Sequence, residues 1–129
     1  MITEEMKELI TRELAVVATV DHLGNPNIGP KRSMRYYDDK TLIFNENTGG
    51  QTMENIQDNG KIEVAFIDRQ ALKGYRFMGR AELKNSGPIY QEAKLWAQGK
   101  MNEPKAVGIV HIERIFNLQS GANAGKEII

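Results

Sequence analysis

Gly74-Tyr75-Arg76-Phe77-Met78-Gly79-Arg80-Ala81-Glu82-Leu83 reads with period two: Tyr75, Phe77, Gly79, Ala81 and Leu83 face one way, and Arg76, Met78, Arg80 and Glu82 the other. Alternate residues fall on opposite sides only in an extended strand, so one face goes to a core and the other keeps its charges. Five more strands are expected around it. Leu14–Val20 is almost wholly apolar and valine-rich, which suggests burial on both faces or the wall of a barrel. Asn27–Tyr37, Thr41–Asn45, Ile62–Ile67 and Ala106–Phe116 complete the set. Turn residues separate most of them: Asp21-His22-Leu23-Gly24-Asn25-Pro26, Asp38-Asp39-Lys40 and Asn59-Gly60.

Three short helices fit between the strands. Thr3 caps the first, whose apolar stripe is Ile2, Met6, Leu9 and Ile10. Met53 and Ile56 give the second one apolar side. Ser86 is the expected cap of the third, which carries Ile89, Ala93, Trp96 and Ala97 on one stripe. The segment from Gln119 reads as a loosely held loop. Six strands joined mainly by turns favour a mainly β fold, an antiparallel barrel with short helices, in a single domain over residues 1–129.

Composition narrows the function. The chain has 17 basic and 17 acidic residues, so no overall charge draws it to nucleic acid. It has no cysteine, which excludes thiol nucleophiles, disulfides and Cys-ligated metals, and it suits a cytoplasmic protein. No cationic-then-apolar leader opens the sequence, and no apolar run reaches the ~20 residues that cross a bilayer. The expectation is a soluble, cytoplasmic protein without membrane or nucleic-acid partners.

The chemistry concentrates in one place. Lys31-Arg32-Ser33-Met34-Arg35 supplies cations and a hydroxyl on the expected strand 27–37, with Lys31, Ser33 and Arg35 on one face and Ile28, Arg32, Met34 and Tyr36 on the other. Pro30 argues for a sheet edge or a bulge. Downstream, Gly49-Gly50-Gln51-Thr52 opens a helix, where unpaired N–H groups and the helix dipole favour an anion. The charged cluster alone also reads as a solvated strand face. Thr48-Gly49-Gly50-Gln51 also reads as a capping box that needs no ligand. Together the two segments point to a bound phosphate group. No lysine follows the glycines, so this is not a Walker loop.

Other candidates are thinner. His111 stands beside Glu113 as a base or half of a metal site, but no third ligand lies at a recognisable spacing, and no metal site is expected. His22 lies in a turn. Trp96 reads as core, with contact to a ligand ring or a partner subunit as the alternative. No serine has a nucleophile-elbow context.

From Leu14 to Leu83 the order of parts resembles the pyridoxamine 5′-phosphate oxidase-like family of FMN-binding split barrels, in particular its small flavin-nucleotide-binding members. The likeness rests on Leu14–Val20, Gly24-Asn25-Pro26-Asn27, Pro30-Lys31-Arg32-Ser33-Met34-Arg35, Tyr37-Asp38-Asp39-Lys40-Thr41-Leu42, Gly50-Gln51-Thr52-Met53-Glu54-Asn55-Ile56, Ile62–Asp68 and Gly74–Leu83. The resemblance implies a six-stranded Greek-key split barrel, paired into a homodimer with FMN in interfacial clefts. It implies that Lys31, Arg32, Ser33 and Met34 run along the flavin and its ribityl phosphate. Gln51 and Thr52 would then bind the phosphate, with Asn45 and Glu46 near the isoalloxazine ring. Two departures stand out. Gln51 occupies a position where many relatives carry Lys or Arg, and Gly121–Ile129 lacks the Arg-Leu pair that the true oxidases use for pyridoxal phosphate. The resemblance therefore implies an FMN-dependent oxidoreductase or electron carrier for an unidentified small molecule, and not a vitamin B6 oxidase. Haem, deazaflavin, or a cofactor-less interaction role on the same barrel are the alternatives.

Overall fold

The computed structural model describes residues 1–128; Ile129, the last residue of the expected terminal loop, lies outside the described residues. Helix α1 (Glu4–Arg12) precedes strands β1 (Ala15–Val20), β2 (Pro26–Lys31), β3 (Arg35–Asp38) and β4 (Thr41–Glu46). Helix α2 (Gln51–Asn59), strands β5 (Lys61–Asp68) and β6 (Lys73–Lys84), helix α3 (Pro88–Ala97) and strand β7 (Ala106–Asn117) follow. The strands form one sheet in the order β2-β1-β5-β6-β7-β4-β3, with every pairing antiparallel.

The seventh strand comes from the segment expected as one strand, 27–37. It breaks at Arg32–Met34, and its halves lie on opposite edges of the sheet. At up to about 3.6 Å per residue, the four steps from Lys31 to Arg35 span at most about 14 Å. The two edges must therefore lie close together, and the sheet curls on itself with a seam between β2 and β3. The two-face assignment across Lys31–Arg35 fails for this reason: alternation does not survive a corner. The inference from Pro30 holds, since β2 is an edge strand.

Inside the curl, Leu42, Phe44, Val64, Phe66, Phe77, Val110 and Ile115 form the core. Helix α1 adds Ile2, Met6, Leu9 and Ile10 to it, and Thr3 caps that helix through its hydroxyl, as expected. Strand β4 is buried along its whole length. Its Leu42 and Phe44 belong to the inner core, while Ile43 packs with Val107 and Ile109 against Ala93 of α3. Strand β1 forms part of the barrel wall rather than being buried on both faces. Ala15, Val17 and Thr19 are buried, but Val16, Ala18 and Val20 are only half-buried, and Leu14 is exposed.

Three local readings are corrected. Ser86 does not cap α3; Gly87 does, at φ +93°, with Pro88 following. Thr48 and Gln51 form no capping box, since α2 starts at Gly50 without a side-chain cap. The segment after Gln119 is held rather than loose: Glu127 bridges to Phe116 and pairs with Arg114, and the Ile128 N–H donates to the Ile115 carbonyl at 2.7 Å.

Gly108 leaves room for Phe44, since a Cβ there would lie 2.1 Å from the nearest carbon of the phenyl ring. Gly108→Ala should cost about 1–3 kcal/mol through overpacking. Gly29→Ala, where a Cβ meets nothing within 4 Å, should stay within about 0.5 kcal/mol. Urea unfolding of both variants checks this, and equal midpoints would contradict the packing described.

Candidate functional site

The corner between β2 and β3 is fastened by a side chain. Ser33 Oγ accepts from the Asn45 N–H at 2.9 Å and donates to the Asn45 carbonyl at 3.2 Å. Pairing of β3 with β4 begins only at Arg35 and Ile43, so one hydroxyl stands in for a ladder position that the turn removes. Arg35 follows, donating to the Ser33 carbonyl at 2.8 Å and to Asn45 Oδ1 at 3.3 Å. Its guanidinium stacks on the Trp96 ring, 4.1 Å from the centroid, and Lys100 approaches that ring at 4.8 Å. Burial pulls Arg35 down to about 10, with Glu92 opposing. Trp96 is thus half-buried between two cations rather than core.

Glu46, at the end of β4, is 1% exposed. Its Oε1 accepts from Lys31 Nζ at 3.1 Å. Its Oε2 accepts from the Thr48 N–H, the Thr48 hydroxyl and the Gly49 N–H, each at 3.1 Å. Burial acts to raise the Glu46 carboxyl, but the Gly49 N–H, the Lys31 charge and the Thr48 hydroxyl outweigh it and hold it below the usual glutamate value.

Beside this pair lies a cleft of about 410 Å³. The residues expected at a site divide around it. Lys31, Arg32, Ser33 and Asn45 line it, whereas Met34 is buried in the inner core and Glu46 is buried among its own partners. Gln51 and Thr52 do not line it. Gln51 donates to Asn55 Oδ1 at 2.7 Å, and the Thr52 hydroxyl accepts from Asn27 at 3.1 Å. The opposite wall was missed from sequence: Asn47, Thr48 and the α3–β7 residues Lys100, Met101 and Asn102. The Asn47 amide ties the two segments of that wall together by donating to the Asn102 carbonyl at 3.0 Å. Lys100 in a Gly99-Lys100 turn was the available signal, but no periodicity connects it to residues 31–33.

His111 and Glu113 do not form a pair. Strand β7 bulges opposite Met78 and Gly79, and His111 instead meets Glu82 of β6 at 2.7 Å. His22 lies 3.6 Å from Asp58. Among the described residues, no group of three or more metal-ligating side chains is positioned to hold a metal ion, and no helix is long and apolar enough to cross a membrane.

An antiparallel sheet, curled with a seam and flanked by short helices, with a polar cleft at the corner between its edges, defines a split barrel. The family model described as pyridoxamine 5′-phosphate oxidase matches residues 2–119, and the chain belongs to that family. HupZ of Group A Streptococcus is 70% identical, with a TM-score of 0.92, over 97% of this chain and 100% of that structure. A pyridoxamine 5′-phosphate oxidase-like protein of Lactobacillus delbrueckii is 32% identical over 88% of this chain and 92% of its own, with a TM-score of 0.77. An FMN-binding protein of Syntrophomonas wolfei shares the fold at 17% identity, with a TM-score of 0.77, over 90% and 85% of the two chains.

Because Glu46 titrates lower in the folded chain than its ordinary value of 4.5, the stability it contributes is complete above that value. It is lost as pH falls through the folded value. Between pH 7 and pH 3 the native protein should therefore lose more stability than Glu46→Gln, by urea midpoints at each pH. Parallel losses would show that Glu46 carries no such linkage.

Proposed function

We propose that the protein binds a flavin, FMN in the first place, and works as an oxidoreductase or electron carrier on a small molecule. The observation that carries this reading is the cleft at the β2–β3 corner of a barrel belonging to this family, edged by Lys31, Arg32, Ser33, Asn45 and Lys100. A bound flavin supplies the electron chemistry, so the chain needs only to bind and orient it. Arg32 and Lys100 offer cationic donors there, and among the described residues Arg32 forms no ion pair. The phosphate contacts read from the sequence fit less well. Lys31, Gln51 and Thr52 are each engaged within the chain. A cysteine-free composition suits the cytoplasm.

Removing Lys31 would strand the buried Glu46 carboxylate, a loss of about 3–5 kcal/mol in typical cases. Arg32 is the cleaner probe. The purified protein should quench FMN fluorescence saturably, and Arg32→Ala should weaken the affinity up to about threefold without lowering the melting temperature. A protein that ignores FMN sinks the flavin reading. A visible absorption spectrum addresses the haem alternative, which one observation favours: Glu82 holds one nitrogen of the exposed His111 and leaves the other free to ligate. A Soret band lost in His111→Ala would put haem in place of flavin.

We also propose a homodimer. The outer faces of β1, β5 and β6 carry a second cleft of about 470 Å³, lined by Ala18, Val20, Pro26 and Met78 among others. A second copy would bury the half-exposed valines of β1. Sedimentation should report a dimer, and Ala18→Glu should shift it to monomer. A native monomer would refute this part alone.

A further inference from the structure

We propose that Glu46 is the resident anion of the Thr48–Gly49 turn and keeps ligand phosphate out of it, so that this site selects its ligand without a phosphate grip there. This deepens the flavin reading and rests on it for the choice of ligand. Between β4 and α2 the chain gathers what an anion requires: a lysine ammonium, a threonine hydroxyl and two backbone N–H groups ahead of a helix. All four already converge on one carboxylate, one at Oε1 and three at Oε2. That carboxylate is carried by the last residue of β4, whose backbone is fixed further by the Lys105 N–H, which donates to the Glu46 carbonyl at 2.8 Å. A phosphate would have to displace a buried, fully bonded anion or sit against it as a like charge.

The surroundings agree. Lys31 and Thr48, two of the partners of Glu46, line the polar cleft, so the turn is within reach of a ligand there. The neighbouring side chains that could grip a phosphate are also engaged: Gln51 with Asn55, Thr52 with Asn27, and Ser33 with Asn45. Among the residues lining the cleft, Arg32 and Lys100 leave positive charge at its rim, where a phosphate would be solvated and loosely held, while Lys105 donates to the Thr48 carbonyl at 3.4 Å and lines a separate cleft. Glu46 thereby acts as a specificity residue: it lets the cleft take a flavin largely indifferent to whether its ribityl chain is phosphorylated.

The test compares the native protein with Glu46→Ala, which vacates the turn, and Glu46→Gln, which keeps it filled without charge. Inorganic phosphate is titrated while the Thr48 and Gly49 amide resonances and the melting temperature are followed. In the native protein neither should respond saturably. In Glu46→Ala both amides should shift and the melting temperature should rise with phosphate, while Glu46→Gln should respond more weakly than Glu46→Ala. Native FMN and riboflavin affinities should agree within about threefold, against a preference for FMN of tenfold or more in Glu46→Ala. Saturable amide shifts in the native protein, or a native preference for FMN of tenfold or more, would overturn the proposal. A folded Glu46→Ala blind to phosphate would do the same. If Glu46→Ala fails to fold, the native titration decides alone. If neither flavin binds, the flavin reading falls while the phosphate arm still decides the role of Glu46.

Discussion

Two hydrogen bonds between the Ser33 hydroxyl and the main chain of Asn45 hold the place where the sheet meets itself. Main-chain pairing alone cannot hold that place, because the chain must cross from one edge to the other in three residues. A buried Ser33, 3% exposed, satisfies both main-chain groups of Asn45. Everything else is placed relative to this fastening. The curl it permits creates an inside for Phe44, Phe66 and Phe77 and an outside for α3. It makes β4 the one strand buried on both faces along its length, and so brings Glu46 to a protected position.

The corner also gathers charge that the core could not hold unaided. Lys31 and Glu46 answer one another, and Thr48 and Gly49 complete the set of donors. Arg35 is handled differently. It uses a carbonyl, an amide oxygen and an indole face in place of a carboxylate, and burial lowers its proton affinity accordingly. Two cations four residues apart thus have different functions. One neutralises a buried anion, and the other fastens a helix to the sheet.

Much of this was legible beforehand. Alternation through Tyr75–Leu83 and the turn residues between strands gave the antiparallel barrel, because those signals are local. The corner was not, since a strand that leaves one edge and joins another keeps its β composition throughout, and only the partners reveal the break. The same holds at the site. Lys31, Arg32 and Ser33 were recognisable as a polar cluster on an expected strand, Asn45 came from the family resemblance, and the four do share a cleft. Their opposite wall, Lys100–Asn102, lies more than fifty residues away and carries no periodic signature. Gln51 and Thr52 were assigned to a ligand by the family resemblance and by their place at a helix start. Sequence does not tell whether a hydrogen-bonding side chain is already engaged within the chain, and here Asn55 and Asn27 engage both.

The seat of Trp96 has a spectroscopic consequence. It is the single tryptophan, and it sits on α3 with cations against its ring from Arg35 on the sheet and Lys100 just beyond the helix. Its emission therefore reports whether α3 is docked, whereas far-ultraviolet dichroism reports the secondary structure of the strands and helices together. In a melt followed by both, superposed curves mean that helix and barrel come apart as one cooperative unit. An earlier change in emission means that α3, and with it the Lys100–Asn102 wall of the cleft, lifts while the sheet is still closed, a local opening that would let large ligands in.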